Sequence, residues 1–393
     1  MGRPEGVAVT GVARTPWSPA RADRTTAGLA IEAAVAAMRD AGLTKDQVDG
    51  VLIAEPPGWD NPRAHIELSE HLGIYAKRLC MSATVGPASA GYCVEVGRWA
   101  IREGRCRHVL TVGAGKTGGT DVAGLASPDR VRGYYADCEL PFGPTPAAFH
   151  AMLARRHMDE FGTTREELAA VAVAARAHAA RDPEAPAGEP LTVAAVIESE
   201  PVADPLRRLD CAPAGDGAAA WVLSAAGAAG EMRKPPVRVL GCGAASSSLL
   251  PGRLADGDGT HDLVRTVGRE AARAAFDEAA LAPAEIDVLG LSDASTIEML
   301  LALEDYGFCE KGEGGALVAG GDLAPGGRLP TNTAGGLLAG GGFGVGAFPH
   351  YVEVVRQLRG EAGARQVEGA ALGLAAGVAG AASVHNVTIF GRE

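Results

Sequence analysis

Apolar residues recur along this chain at two periods, and the same succession of periods occurs twice. In "IEAAVAAMRDAGLTKDQVDGV" (31–51) the apolar positions fall at helical spacing and lead through a turn into a short strand; "GREAARAAFDEAALAPAEIDVL" (268–289) repeats that order. Glu32 aligns with Glu270, Met38 with Phe276, Leu43 with Leu281 and Asp49 with Asp287, all at one offset of 238 residues. A β-rich segment precedes each copy, "GVAVTGVART" (6–15) and "PVRVLGCGAA" (236–245). Each half then closes on an elbow, a helix and a strand. The first such run is 85–113; the second is "LLAGGGFGVGAFPHYVEVVRQLRG" (337–360) followed by "EGAALGLAAG" (368–377). A duplicated β-α-β-α-β unit predicts an α/β protein with two similar, packed halves, residues 1–230 and 236–393, joined through "EMRKPP" (231–236). Residues 115–205 break the pattern with turns and polar helices, as an inserted lid or substrate-binding loop domain would.

Composition narrows the class. The chain has 393 residues, 47% hydrophobic and 21% charged, as expected of a globular enzyme with room for two cores. Alanine and the 54 glycines are abundant, which predicts close helix–sheet packing through small residues. A net charge of −12 without a basic block argues against nucleic acid. No apolar run is long enough for a bilayer span, and the run in "MGRPEGVAVTGVARTP" is too short for a signal peptide. Seven scattered cysteines, an odd number without a C-x-x-C pair, point to a reducing cytoplasm and no structural zinc.

The stretch "SATVGPASAGYCVEVGRWAI" (82–101) predicts a strand end, a tight turn of small residues and a helix. Such elbows present nucleophiles, yet the tip here reads Gly86-Pro87-Ala88-Ser89. Proline brings neither thiolate, hydroxyl nor N–H, but its fixed φ suits the first helical turn. Ser89 sits in "PASAG", one residue short of the G-x-S-x-G elbow; it is a catalytic candidate, as the nucleophile of a thioesterase, beside its reading as a structural elbow serine. Cys93, six residues after Pro87, lies roughly 9 Å from it along the helix axis and is read as a packing residue, as is Tyr92.

Several longer stretches resemble the thiolase superfamily, and specifically its sterol-carrier-type and archaeal acetyl-CoA acetyltransferase-like branch. "LSDASTIEMLLALEDYGFCEKGEGG" (291–315) carries the resemblance most specifically, with support from "FGPTPAAFHAMLARRHMDEFGTT" (142–164), "PLRRLDCAPAGDGAAA" (205–220), "PTNTAGGLLAGG" (330–341) and "VVRQLRGEAGARQV" (354–367). The resemblance implies a thiolase-like αβαβα sandwich, at least a homodimer, and a coenzyme A thioester as substrate, with no bound cofactor or metal. It also exposes departures. The motif's acyl-carrying cysteine falls on Pro87, its His-Asp-Ala-Phe on Ser292-Asp293-Ala294-Ser295, and its Gly-His-Pro within Gly340-Gly341-Gly342-Phe343. Covalent acyl transfer through position 87 is thereby impossible.

The same resemblance sorts the remaining candidates. His150 opens the helix after a segment that lines the substrate tunnel in thiolases and is the best remaining general base. Asp293, with Ser292 beside it, would hold a water or polarise a hydroxyl, or else brace its loop. Pro87, Asn332, Gly335, Gly336, Gly341 and Gly342 would shape the acyl-CoA pocket. His157 reads as a surface residue and His385 as a core histidine. The glycine run 340–346 lacks the preceding strand of a dinucleotide loop, and "DGDGTHD" (256–262) lacks the glutamate of a calcium loop. The two helix N-termini at the elbows would make an oxyanion site for a thioester carbonyl and its enolate. With bulk removed at the glycine run, the pocket is expected to be wider than that of a thiolase.

Three functions stay open. One is a cysteine-independent carbon–carbon lyase, retro-aldol on a 3-hydroxyacyl-CoA with a steroid or other branched side chain. In the corresponding branch of the family such aldolases work with a small zinc-ribbon/OB-fold partner, and they use tyrosines where this chain has Ser292 and the glycine run. The second is a non-catalytic subunit that scaffolds a partner enzyme. The third is a non-cysteine condensing enzyme or acyltransferase.

Overall fold

The computed structural model describes residues 6–54, 61, 63–75, 77–118, 139–185, 189–229, 232–248, 262–340 and 346–392. Its strands are β1 (Val7–Arg14), β2 (Gly50–Ala54), β3 (Leu79–Ala83), β4 (His108–Lys116), β5 (Pro201–Ala203), β6 (Leu206–Arg207), β7 (Asp216–Ala225), β8 (Val237–Ser246), β9 (Val288–Leu291), β10 (Leu372–Ala379) and β11 (Val384–Arg392). The helices are α1 (Thr26–Ala41), α2 (Ala64–Leu72), α3 (Ser89–Arg102), α4 (Pro146–Phe161), α5 (Arg165–Ala179), α6 (Val193–Glu198), α7 (Ala226–Ala229), α8 (Gly268–Ala279), α9 (Thr296–Asp305), α10 (Gly314–Ala319), α11 (Gly336–Gly340) and α12 (Phe348–Arg359).

Nine of these strands form one sheet in the order β3-β2-β4-β7-β1-β8-β11-β10-β9, while β5 and β6 make a separate ribbon. The sheet is two runs of one connectivity. In the first, β2 lies parallel to β3 and β4, and β7 runs antiparallel to β4 and β1. In the second, β9 lies parallel to β10, with Thr331 bridging in parallel to Leu289 on its other side, and β11 runs antiparallel to β10 and β8. Among the described residues, the pairs Ala8↔Arg238 and Val9↔Val237 join the runs.

Helices α3 and α12 each touch strands of both runs and form the middle layer. Trp221 of β7 stacks there on Phe348 and Tyr351 of α12, with ring centroids 4.5 and 5.4 Å away. Burying three such rings anchors the layer at roughly 1.5–3 kcal/mol each. Helix α1 covers the first run from outside, and α8 covers β8 and β11 of the second. Small residues set the distance: a Cβ on Gly11 would stand 2.3 Å from the Ala37 carbonyl oxygen, and one on Gly243 would stand 2.0 Å from that of Ala271. The glycine and alanine richness thus brings helix backbones onto strands in both halves, as composition suggested.

The inserted segment crosses between the halves. Helix α4 packs against α9, and α5 packs against α9, α10 and α11, so a part of the first half covers the loops of the second. Among the described residues no helix is long and apolar enough to cross a membrane.

Candidate functional site

The elbow forms as the sequence predicts. β3 ends at Ala83, Gly86 takes φ +57°, and a short 3-10 turn over Gly86–Ala88 runs into α3 with Pro87 in its first turn. Pro87 is half-buried and Gly86 exposed, so the tip is partly open to solvent. Its carbonyl accepts the N–H of Ala347 at 3.4 Å, which brings the start of α12 against it. Ser89 points the other way. Its buried Oγ accepts the N–H of Val85 at 3.0 Å and braces the turn. The hydroxyl is tied into the backbone that shapes the elbow, so the geometry gives it a structural part and not that of a nucleophile. Cys93 is wholly buried, and burial pushes its thiol up to about 12. It has no thiolate to offer near neutral pH.

Opposite the elbow lies the loop 292–295, and the fold holds it from four directions. The N–H of Ser292 donates to Ala376 of β10, whose neighbour Gly377 packs against Pro87 and Ala88. Ala212 donates its N–H to Ala294, and Cys211 bridges to Ser295. Asn332 grips the strand end, accepting the N–H of Leu291 at Oδ1 (2.8 Å) and donating from Nδ2 to its carbonyl (2.9 Å). It does so at φ +53°, a conformation asparagine tolerates better than most residues. The fourth hold is His150 of α4, whose Nδ1 lies 2.6 Å from Ser295 Oγ, 145 residues away. Burial drags this imidazole down to about 4, so it is neutral at pH 7. The structure therefore brings the predicted base onto the motif loop.

Glu298, in the first turn of α9, was not singled out in the sequence. Ser295-x-x-Glu298 is a capping-box spacing, which was the available signal. Only half of the box forms. Ser295 turns its hydroxyl to His150, while Glu298 Oε2 accepts the N–H of Ala294 at 3.0 Å. Burial pushes the Glu298 carboxyl up to about 7, Asp293 adds to the rise, and Ser292 together with backbone N–H groups opposes it. The Ser292 hydroxyl lies against this carboxyl, buried and without a hydrogen-bond partner of ordinary geometry.

Asp293 is fully buried and caps α11: Oδ1 accepts from Leu337 at 2.9 Å and Oδ2 from Leu338 at 3.3 Å. Gly336, at φ +64°, makes room for it, since a Cβ there would stand 2.1 Å from Oδ2. Gly335 is equally confined, against Ala179 of α5. Asp293 thus supports the loop, and its second neighbour is His350, Nε2 to Oδ1 3.1 Å. That histidine is the other residue missed in the sequence; only its place one turn after the glycine run marked it. His350 and Arg14 border a small cavity with Trp17, Asn332, Thr333 and Glu353, with room for about one water. Arg14 pairs with Asp182 and Glu184, and Arg365 joins Asp182 to Glu353, so buried ion pairs tie both halves and the insertion beneath the site.

Two histidine expectations resolve differently. His157 is not a surface residue: it is fully buried, with Nε2 3.0 Å from Glu304 and Nδ1 2.7 Å from Thr163. Its helix face looked polar only because its partner lies 147 residues away. His385 is a core histidine, between Tyr306 and Thr266. Gly341 and Gly342 lie outside the described residues, as do most of the glycine run and most of "DGDGTHD", so the expected widening of the pocket falls there too.

Comparison with known proteins agrees with this architecture. Residues 258–392 match a family described as thiolase C-terminal domain-like. The chain is 37% identical to an acetyl-CoA acetyltransferase of Methanothermobacter thermautotrophicus, over 98% of this chain and 99% of that protein. It is 32% identical to a 17-hydroxy-3-oxo-4-pregnene-20-carboxyl-CoA lyase of Mycobacterium tuberculosis, over 90% of this chain and 91% of that one. Among solved structures, an Ltp2-ChsH2(DUF35) aldolase superposes with a TM-score of 0.82 at 28% identity, covering 100% of this chain and 99% of its counterpart. With relatives of this identity matched along nearly its whole length, the chain belongs to the thiolase superfamily.

Proposed function

We propose that this protein is a carbon–carbon lyase that cleaves 3-hydroxyacyl-CoA thioesters by a retro-aldol reaction, without an acyl-enzyme. The observation that carries the reading is the elbow itself: a preserved, half-exposed turn with Pro87 at its tip and Cys93 buried and protonated behind it. An acyl-cysteine route has no nucleophile there, whereas a retro-aldol step needs none. It needs a base for the 3-hydroxyl and a site for the enolate. His150, neutral and joined to Ser295, is the base; the N-terminal end of α3 takes the thioester oxygen as it gains charge. Asn332, Gly335, Gly336 and Asp293 hold the pocket floor in shape. The similarity to a steroid-CoA lyase and to an Ltp2-ChsH2(DUF35) aldolase supports this chemistry. It also favours a branched or polycyclic acyl group, a homodimer, and a DUF35-type partner of the zinc-ribbon/OB-fold kind.

The second reading is a subunit that binds the thioester and scaffolds an active partner. The backbone bracing by Ser89 and Asp293, both spent on structure, favours it. One assay separates the two. Purified protein, with and without the DUF35-type partner, meets a panel of 3-hydroxyacyl-CoAs and 3-ketoacyl-CoAs, and products are read by mass spectrometry. An aldehyde or ketone plus a shortened acyl-CoA from the 3-hydroxy substrates is the expected result. Binding without turnover in every combination would sink the lyase reading, and thiolytic cleavage of 3-ketoacyl-CoAs would point to the acyltransferase relatives instead.

A further inference from the structure

The retro-aldol step leaves an enolate whose α-carbon must be protonated, a transfer separate from the one assigned to His150. The loop after β9 and the elbow both pack on the end of β10, and this loop carries a serine hydroxyl beside a buried carboxyl. Ser292 ends β9, its N–H is bonded to Ala376, and Gly377 next along packs on Pro87 and Ala88. The Ser292 hydroxyl is fully buried, and the polar group it lies against is the Glu298 carboxyl, whose rise it opposes. Behind it stands Glu298, held by the Ala294 N–H and flanked by Asp293.

We propose that Ser292 delivers the proton to the α-carbon of the bound thioester, with Glu298 as the positioning residue that reloads it. This rests on the lyase reading for its place in the cycle. His150 takes the 3-hydroxyl proton, the C2–C3 bond breaks, and its electron pair enters the enolate. The Ser292 proton then bonds to the α-carbon as the Glu298 proton moves to Ser292 Oγ, leaving Glu298 ionised. Return of the proton from His150 to Glu298 by way of solvent completes the balance. A carboxyl that changes charge near neutral pH suits this exchange, and burial holds Glu298 at about 7. Asp293 is the charged neighbour that raises it, and the backbone N–H groups of Ala294 and Ser295 oppose the rise.

Glutamine at 298 separates the proton from the cap, because its side-chain oxygen still accepts the Ala294 N–H. The experiment is α-hydrogen exchange of propanoyl-CoA in D2O, which runs the proton step backwards without any C–C cleavage. Wild type is expected to incorporate deuterium, faster as pH rises through 7. Glu298→Gln and Ser292→Ala are expected to lose at least about 10²-fold of that rate, with thioester affinity and circular dichroism unchanged, and Glu298→Gln should lose the pH dependence. Exchange in Glu298→Gln within about threefold of wild type, or no exchange by wild type at saturating thioester, would overturn the proposal. Exchange without aldehyde or ketone release from any 3-hydroxyacyl-CoA would overturn the lyase reading and leave the Ser292–Glu298 pair standing.

Discussion

Asp293 and His350 face each other inside the second half, Oδ1 to Nε2 3.1 Å, while the same carboxylate caps α11. One acidic side chain thereby joins the motif loop to the short helix before the glycine run, with His350 of the first turn of α12 as its neighbour. The arrangement tolerates no bulk at Gly336. Gly336→Ala combines a 2.1 Å approach to Oδ2 with a left-handed φ, and is expected to destabilise the protein by roughly 2–4 kcal/mol. Urea denaturation would measure it; a loss under about 0.5 kcal/mol would show that the cap is not rigid.

His150→Gln tests the base separately from the fold. Glutamine still offers a hydrogen bond to Ser295 but accepts no proton at working pH. Turnover of a 3-hydroxyacyl-CoA is expected to fall about 10²-fold or more, with KM nearly unchanged. Unchanged turnover would remove His150 from the chemistry and leave it as a tie between α4 and the loop.

Stability should depend on pH in two opposed ways. Burial lowers His150, His178 and His385 to about 4, so the unfolded chain binds more protons and their contribution, complete above 6.5, is lost as pH falls toward 4. Glu298 is raised from 4.5 to about 7, so its ionisation costs stability from pH 4.5 upward and in full above 7. Glu298→Gln is therefore expected to stabilise the protein at pH 8 by up to about 3 kcal/mol, and by less than about 1 kcal/mol at pH 5. Denaturation curves at the two pH values check this; equal shifts at both would mean that the carboxyl is not held up by burial.

Cys93 should resist alkylation. Its thiol is buried and pushed to about 12, so iodoacetamide at pH 8 should leave the Cys93 peptide unmodified in the native protein and label it in urea. Native labelling at Cys93 would reopen the route through a relocated cysteine nucleophile.

The frame of this protein is readable from its chain because it is local. Apolar residues spaced for one buried face mark α1 and α8, short β-rich segments mark β1 and β8, and the offset of 238 residues carries from helix to helix and through Asp49 and Asp287 beyond them. Proline in the first turn after Gly86 announces the elbow for the same reason: its φ is set by its own ring. These signals need no knowledge of what lies across the fold.

The site was legible only as a loop and a set of residue types. Which side chains meet there was decided by elements far apart in sequence. Ser295 spends its hydroxyl on His150, 145 residues away, and so leaves its own capping box half made; His157 is buried against Glu304, 147 residues away, although its helix face reads as polar. Glu298 is a surface-like cap residue by spacing and becomes a proton-holding group only because packing removes water from it. Periodicity records which face of an element is covered, but not what covers it, and charge, burial and proton affinity at this site all follow from the cover.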